Sequence, residues 1–305
     1  MYAKQSTPFH TLLVPLDRSE RAERALPVAE RLASVFGSTL LLAQVSEPIA
    51  TLRDFPGPAV APTVYQELSD IEDDLRRTYL DRVASEVRSR GLSLEVIGMQ
   101  GYPAPALLDL IERRKPDLVV MASHGYGGVE RWAYGSVTDR ILRHGTAPVL
   151  VVRPWGDEQR YLQLSRALVP LDGSLTAEAV LDPVRELAGR LLHHVTLVQV
   201  VDPEMPAGET ESVRGYLSTT REALREHIAA NAIGGTTGRC DVDDLVLYGE
   251  AEEQILERSA DGYDLIILAT HGRTGPARWA LGSVADRVLQ GARIPVFLVR
   301  AARGE

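Results

Sequence analysis

The chain has 305 residues, 45% hydrophobic, 25% charged and 6% aromatic, with 33 basic against 42 acidic side chains. That length fits two domains or one large one, and so high a hydrophobic fraction excludes a disordered chain. The formal charge of −9 excludes a generally basic binder of nucleic acid, and a single cysteine excludes an internal disulfide.

In the first half, residues 12–16 are a short continuous apolar run, which predicts a strand buried on both faces. Between residues 19 and 36, Ala22, Leu26, Ala29, Leu32 and Phe36 fall at helical spacing. Residues 40–45 read as the next strand, and the Pro-rich stretch EPIATLRDFPGPAVAP as a loop. A long helix follows, with Leu68, Ile71, Leu75, Tyr79, Val83 and Val87 on one face. Residues 94–98 predict a strand, 104–113 a helix, 118–122 a strand, 136–143 the last helix and 149–152 the last strand. No Cys/His group has zinc-ligand spacing. The first residues reach an acid before any apolar run long enough for a signal sequence, and no stretch approaches the ~18–20 apolar residues of a membrane span. The expectation is a cytoplasmic protein that partners neither membrane nor nucleic acid.

The second half rewrites the first. LLVPLDRSE, with Asp17, returns as ALVPLDGSL, with Asp172, and LLLAQVSEP, with Val45, returns as TLVQVVDPE, with Val200. SHGYGGVERWAYGSVTDRIL, from Ser123, returns as THGRTGPARWALGSVADRVL, from Thr270, with twelve of twenty positions identical. A period of roughly 150 residues is too long for a solenoid and suits a whole domain. The join falls in PWGDEQRYLQL, giving domains 1–154 and 165–305. Strands alternating with helices imply right-handed crossovers, so each domain is expected to be a doubly wound α/β layer with a five-stranded parallel sheet and helices on both faces.

In such a sheet, ligands bind beyond the carboxyl ends of the strands where strand order reverses. Three repeated features should fall there: Pro15-Leu16-Asp17 with Pro170-Leu171-Asp172, the loops starting at Ser123 and Thr270, and Gly135-Ser136 with Gly282-Ser283. The amides of a helix's first turn lack internal partners and carry partial positive charge, and a glycine before them lets an anion come close. A plainer reading also fits, because Ser136 with Asp139 and Ser283 with Asp286 match the Ser-x-x-acid capping pattern. Likewise Asp17 could simply cap the helix after it. Glycines nine residues upstream, Gly125 and Gly272, add a partner that a plain cap does not need.

These residues resemble the universal stress protein family, whose ATP-binding members carry Gly-x2-Gly-x9-Gly-(Ser/Thr) between the fourth strand and last helix. The final three elements match twice, at Gly125, Gly135 and Ser136 and at Gly272, Gly282 and Ser283. The first glycine is replaced by Ala122 and Ala269, a change that is nearly free at negative φ and unfavourable by roughly 1–2 kcal/mol in a left-handed conformation. A strand end favours negative φ. The resemblance implies a tandem protein of Rossmann-like, adenine nucleotide alpha hydrolase-like fold that binds ATP, or ADP or AMP, with Mg²⁺ bridging the phosphates where it is present. It places Asp17 and Asp172 at the adenine or ribose, and Val45, Val200, Met121 and Leu268 beside the base. Gly125, Gly135, Ser136, Val137 and Thr138 would hold phosphates in one copy, and Gly272, Gly282, Ser283 and Val284 in the other. Arg273 makes the second loop more positive, while Ala285 stands where Thr138 does and removes one hydroxyl. The resemblance further implies that residues 148–153 pair with residues 295–300 inside one chain as a pseudo-dimer, leaving open a homodimer of chains.

His124 and His271 invite a catalytic reading, but neither has a discernible nucleophile partner. Trp132 and Trp279 suit packing better than base stacking, and adjacent His193 and His194 point to opposite faces of a strand. Nothing near Cys240 suggests a depressed thiol pKa. There is no Gly-Lys-Ser/Thr P-loop, first-strand G-x-G-x-x-G, G-x-S-x-G or H-E-x-x-H. Rapid phosphoryl transfer is therefore not expected. The expected function is nucleotide-dependent regulation in a stress response, with a nucleotide-free interaction module or a slow ATPase as the alternatives.

Overall fold

The computed structural model describes residues 9–47, 62–123, 135–153, 163–232, 238–270 and 281–300. The first copy of the repeat forms β1 (Thr11–Leu16), α1 (Glu20–Glu23), α2 (Ala25–Phe36), β2 (Thr39–Ser46), α3 (Pro62–Ser89), β3 (Ser93–Gln100), α4 (Pro103–Arg114), β4 (Leu118–Ala122), α5 (Ser136–His144) and β5 (Val149–Val152). The second forms β6 (Arg166–Pro170), α6 (Leu175–Glu178), α7 (Leu181–Leu187), β7 (His194–Val201), α8 (Ala207–Ala232), β8 (Asp241–Tyr248), α9 (Ala251–Ser259), β9 (Leu265–Ala269), α10 (Ser283–Gly291) and β10 (Val296–Val299). Each copy thus contributes five strands to a doubly wound α/β fold. Among the described residues no helix is long and apolar enough to cross a membrane.

Two compact units result, residues 1–122 with 135–147, and 123–134 with 148–305. In the first unit the strand order is β3-β2-β1-β4. Its core strand β1 pairs in parallel with β2 through Leu12↔Leu40 and Val14↔Leu42, and with β4 through Leu12↔Leu118. Leu12, Leu13 and Val14 have no solvent exposure, as expected of a strand covered on both faces. Asp117 pins the amino ends together by accepting the Thr11 amide at 2.8 Å. The second unit runs β5-β10-β9-β6-β7-β8 and repeats that pin, with Asp264 Oδ2 accepting the Ser165 and Arg166 amides, each at 3.0 Å.

The compact units divide the chain differently from the two copies of the repeat. β5 comes from the first copy's sequence, yet lies in the second unit, antiparallel to β10 through Val296↔Val151, Phe297↔Leu150 and Leu298↔Val149. The strand pairing implied by the family resemblance is therefore present within the chain. All four residues of β5 and all four of β10 are buried.

Two expectations about helices need correction. The single helix expected over residues 19–36 is broken into α1 and α2 at Arg24, and the second copy breaks in the same way between α6 and α7. The cause is Pro27, and Pro183 in the second copy, each at the third position of the later helix. A proline there withholds the N–H that would have bonded back across the break. The face expected on α3 is also only half right. Tyr79, Val83 and Val87 are buried, as are Leu80 and Ala84, but Ile71 and Leu75 are exposed. At that level the sheet is met by Arg76, whose guanidinium lies where a Cβ on Gly98 of β3 would come within 2.6 Å of Nε. Arg76 is anchored there by Asp73 at 2.7 Å, and Asp73 in turn accepts from Gln100 at 3.0 Å.

Phe297 is 2% exposed and sits at the middle of the β5–β10 ladder. Phe297→Ala is expected to destabilise the folded chain by about 3–5 kcal/mol, measured as a shift in the urea unfolding midpoint.

Candidate functional site

Strand order reverses between β1 and β4 in the first unit, and between β6 and β9 in the second. In an open parallel sheet, the place for a ligand is beyond the carboxyl ends of the strands at such a reversal. Pro15 and Leu16 end β1, with Asp17 exposed just after them; Pro170 ends β6, and Leu171 and Asp172 follow. Met121 and Ala122 end β4, Leu268 and Ala269 end β9, and all four are buried. Val45, near the end of β2, is buried, and Val200, near the end of β7, is partly exposed. The topology thus brings the expected strand-end residues of each copy to one rim.

The two aspartates do something the sequence reading had only half identified. Asp17 Oδ1 accepts from the Ser19 amide at 3.0 Å and from its hydroxyl at 2.5 Å. Ser19 Oγ then accepts the Ala22 amide at 3.1 Å, which caps α1. Asp172 and Ser174 repeat this, with 2.9 Å and 2.6 Å to Asp172 Oδ1 and 3.1 Å from the Ala177 amide. The cap is therefore the serine, and the aspartate orients it. The repeated Asp-x-Ser spacing was the signal for this.

The chain turns left-handed between the two residues, at Arg18 with φ 68° and at Gly173 with φ 77°. Glycine adopts that conformation freely, whereas arginine does so at a cost of roughly 1–2 kcal/mol. Arg18 is held there by an ion pair with Glu72 of α3 at 2.6 Å.

The capping pattern expected at the last helices is not realised. The N-cap of α5 is Gly135 (φ −57°, ψ 149°) and that of α10 is Gly282 (φ −60°, ψ 150°), neither with a side-chain cap. Ser136 and Ser283 are one residue too late to cap and are exposed. Intrahelical bonding starts with the Asp139 amide to the Gly135 carbonyl at 3.0 Å, and the Asp286 amide to the Gly282 carbonyl at 2.8 Å. The amides of Ser136, Val137 and Thr138, and those of Ser283, Val284 and Ala285, have no acceptor within their helices. Asp139 and Asp286 instead face along their helices, to Arg143 at 2.7 Å and Gln290 at 2.7 Å.

Thr138 needs a second correction. Its side chain has no solvent exposure, and Ala285 occupies the same core-facing position. What Thr138 offers the rim is its amide rather than the hydroxyl expected from the resemblance. Ala122 and Ala269 lie in strands and are absent from the residues with positive φ, so alanine is unstrained at both, as expected. Gly125, Gly272, Arg273, His124, His271, Trp132 and Trp279 lie outside the described residues.

Each aspartate acts on a tyrosine, Tyr79 buried in the first copy and Tyr216 partly buried in the second. Tyr79 of α3 is held well above its ordinary pKa, first by burial and then by the Glu23 carboxylate, with Asp17 adding to the effect. Tyr216 of α8 is raised in the same way by burial, Glu178 and Asp172. The helical spacing of Tyr79 with Leu75 and Val83 marks it only as part of an apolar face. Elsewhere, burial pushes the Cys240 thiol up to about 11, which keeps it protonated at neutral pH. His194 contacts Thr196 at 3.1 Å, and His193 contacts the Arg239 carbonyl at 3.4 Å. Among the described residues no three His, Cys, Asp or Glu side chains group as metal ligands would.

A twice-written parallel α/β fold with an uncapped helix start at each switch point defines a class of tandem two-copy proteins. The chain matches the universal stress protein family over residues 8–153 and again over 164–300, and it belongs to that family. It is 25% identical to a universal stress protein of Mycolicibacterium smegmatis, over 97% of this chain and 99% of that one. It is 27% identical to universal stress protein Rv2623 of Mycobacterium tuberculosis, over 95% and 96%. The crystal structure of a universal stress protein from Archaeoglobus fulgidus shares the fold, with a TM-score of 0.72 at 18% identity, covering 96% of this chain and 99% of that one.

The tyrosine pair gives an alkaline signature. A raised pKa means that the unfolded chain releases these protons first, so stability should fall as pH rises through the ordinary tyrosine value near 10. Tyr79→Phe/Tyr216→Phe is expected to flatten that fall, read as urea midpoints between pH 8 and 11. An unchanged slope in the double variant would contradict the assignment.

Proposed function

We propose that this universal stress protein binds an adenine nucleotide, ATP in the first instance, at the rim of each unit and acts as a nucleotide-dependent regulator in a stress response. The observation that carries this reading is that both α5 and α10 begin on glycine with no side-chain cap. A helix start left in that condition twice, at the switch point of each unit, suits an anion. The phosphates would take the amides of Ser136, Val137 and Thr138 in the first unit, and of Ser283, Val284 and Ala285 in the second. Gly135 and Gly282 would allow the close approach, together with Gly125, Gly272 and Arg273 of the preceding loops. Asp17 and Asp172 would accept from the ribose or adenine, and Val45, Val200, Met121 and Leu268 would line the base.

The chain's overall negative charge does not oppose this, because exposed charges are screened beyond about 8 Å at physiological salt. Bound Mg²⁺ would neutralise part of the phosphate charge, and the strand-end aspartates are the nearest carboxylates among the proposed site residues.

Heat-denaturing the purified protein and chromatographing the supernatant is expected to release an adenine nucleotide. Adding ATP at 100 times its dissociation constant should stabilise the chain by about 2.7 kcal/mol per site, read as a thermal shift. Gly135→Val/Gly282→Val should abolish the shift while leaving the circular dichroism spectrum unchanged. Absence of both nucleotide and shift in the wild-type protein would instead support a nucleotide-free interaction module.

A further inference from the structure

We infer that the amino-terminal half of α3 is a docking surface for a cationic amphipathic helix of another protein. Val64, Leu68, Ile71 and Leu75 recur at intervals of four, three and four residues, the spacing of a coiled-coil seam. Along the second half of α3 the apolar face is buried. Along the first half it is open, with Val64 40%, Ile71 55% and Leu75 53% exposed.

The second copy lacks this feature. Tyr79-Leu80 of α3 corresponds to Tyr216-Leu217 of α8, since both tyrosines are enclosed beside the glutamate of the preceding short helix. On that register Ile71 and Leu75 correspond to Gly208 and Ser212. α3 begins at Pro62, seventeen residues before its tyrosine, whereas α8 begins at Ala207, nine before its own. α3 thus runs two turns further at its start, where it carries Val64 and Leu68, and where the two helices overlap it has Ile71 and Leu75 in place of Gly208 and Ser212.

Charge selects the occupant. Between residues 62 and 75 there are five acidic side chains, Glu67, Asp70, Glu72, Asp73 and Asp74, and no basic one. Glu72 and Asp73 are matched inside the unit by Arg18 and Arg76, and Asp74 makes only an exposed, weak pair with Arg77 at 3.7 Å. Glu67, Asp70 and Asp74 point outward along the seam and are exposed. Two copies of this helix packed antiparallel would set Glu67 and Asp74 against their own counterparts, which like-charge repulsion disfavours. An anionic lipid surface is disfavoured for the same reason. A helix with aliphatic residues along its seam and Lys or Arg on its flanks satisfies both the stripe and its rim. The stripe spans about 16 Å of helix, so such a contact is small and exchangeable.

The probe is a labelled 21-residue peptide with Leu at both seam positions of each heptad and Lys on the flanks, read by fluorescence anisotropy at 0.15 M salt. The control is the same peptide with Glu on the flanks. The Lys peptide is expected to bind the full chain and the Glu peptide to fail. Ile71→Ser/Leu75→Ser should weaken the Lys peptide at least tenfold, and Glu67→Lys/Asp74→Lys should reverse the preference. Equal binding of the two peptides, or indifference to Ile71→Ser/Leu75→Ser, would overturn the proposal. So would a wild-type dimer that the same double substitution converts to monomer in light scattering, or binding to phosphatidylcholine vesicles without binding to the Lys peptide.

Discussion

Parallel pairing of one central strand on both its sides is the constraint from which the rest follows. β1 lies between β2 and β4, and β6 lies between β7 and β9. A parallel strand cannot reach its neighbour through a tight turn, so every connection crosses a face of the sheet and both faces are covered. The central strand must then be apolar on both sides, which Leu12, Leu13 and Val14 satisfy, as do Ala167, Leu168 and Val169. Its neighbours leave in opposite directions, so the connections above its carboxyl end diverge and open a crevice. Asp117 and Asp264 hold the opposite end shut by binding the amides where β1 and β6 begin. The rim is open because the base is pinned.

At that rim, two solutions to the same problem stand side by side. Every helix start exposes amides that need acceptors. After β1 and β6 the chain supplies its own, through Ser19 and Ser174, each oriented by an aspartate. After β4 and β9 it supplies none from a cap side chain, because glycine occupies the cap position. A capping serine at that position would be worth only a few tenths of a kcal/mol over glycine. What glycine changes is access. The contrast between a capped and an uncapped start within one crevice is stronger support for an anion site than either feature alone. The serine and the aspartate hold one another, so the carboxylate at each rim has a fixed place.

Much of this was legible in the sequence, because apolar runs and helical spacing report burial directly. The alternation of strands and helices and the repeat followed from those patterns and the rules of parallel sheets. What escaped was set by interactions that periodicity does not encode. Pro27 and Pro183 break a helix whose apolar spacing continues straight across the break. Ser136 and Asp139 match a capping pattern, yet the pattern is one residue out of phase with the helix that forms. Ile71 and Leu75 share the face of Tyr79 on a helical wheel, but Arg76 takes the sheet contact through the space left by Gly98. In each case a local contact outweighed an average preference.

The differences between the copies are as informative as their likeness. Gly173 occupies the left-handed position after Asp172 without strain, and Arg18 occupies it after Asp17 with strain. A strained residue persists when something over-determines it. Here that is the pair with Glu72 on α3, on the stretch of helix that carries the exposed stripe. Arg18 therefore ties the turn after β1 to α3. In the second copy, glycine makes the turn alone and has no side chain with which to form such a tie. Were strain at Arg18 merely tolerated, glycine would serve there equally well. The two copies thus make the same turn by different means, one through the backbone freedom of glycine and one through a side-chain tie to the neighbouring helix.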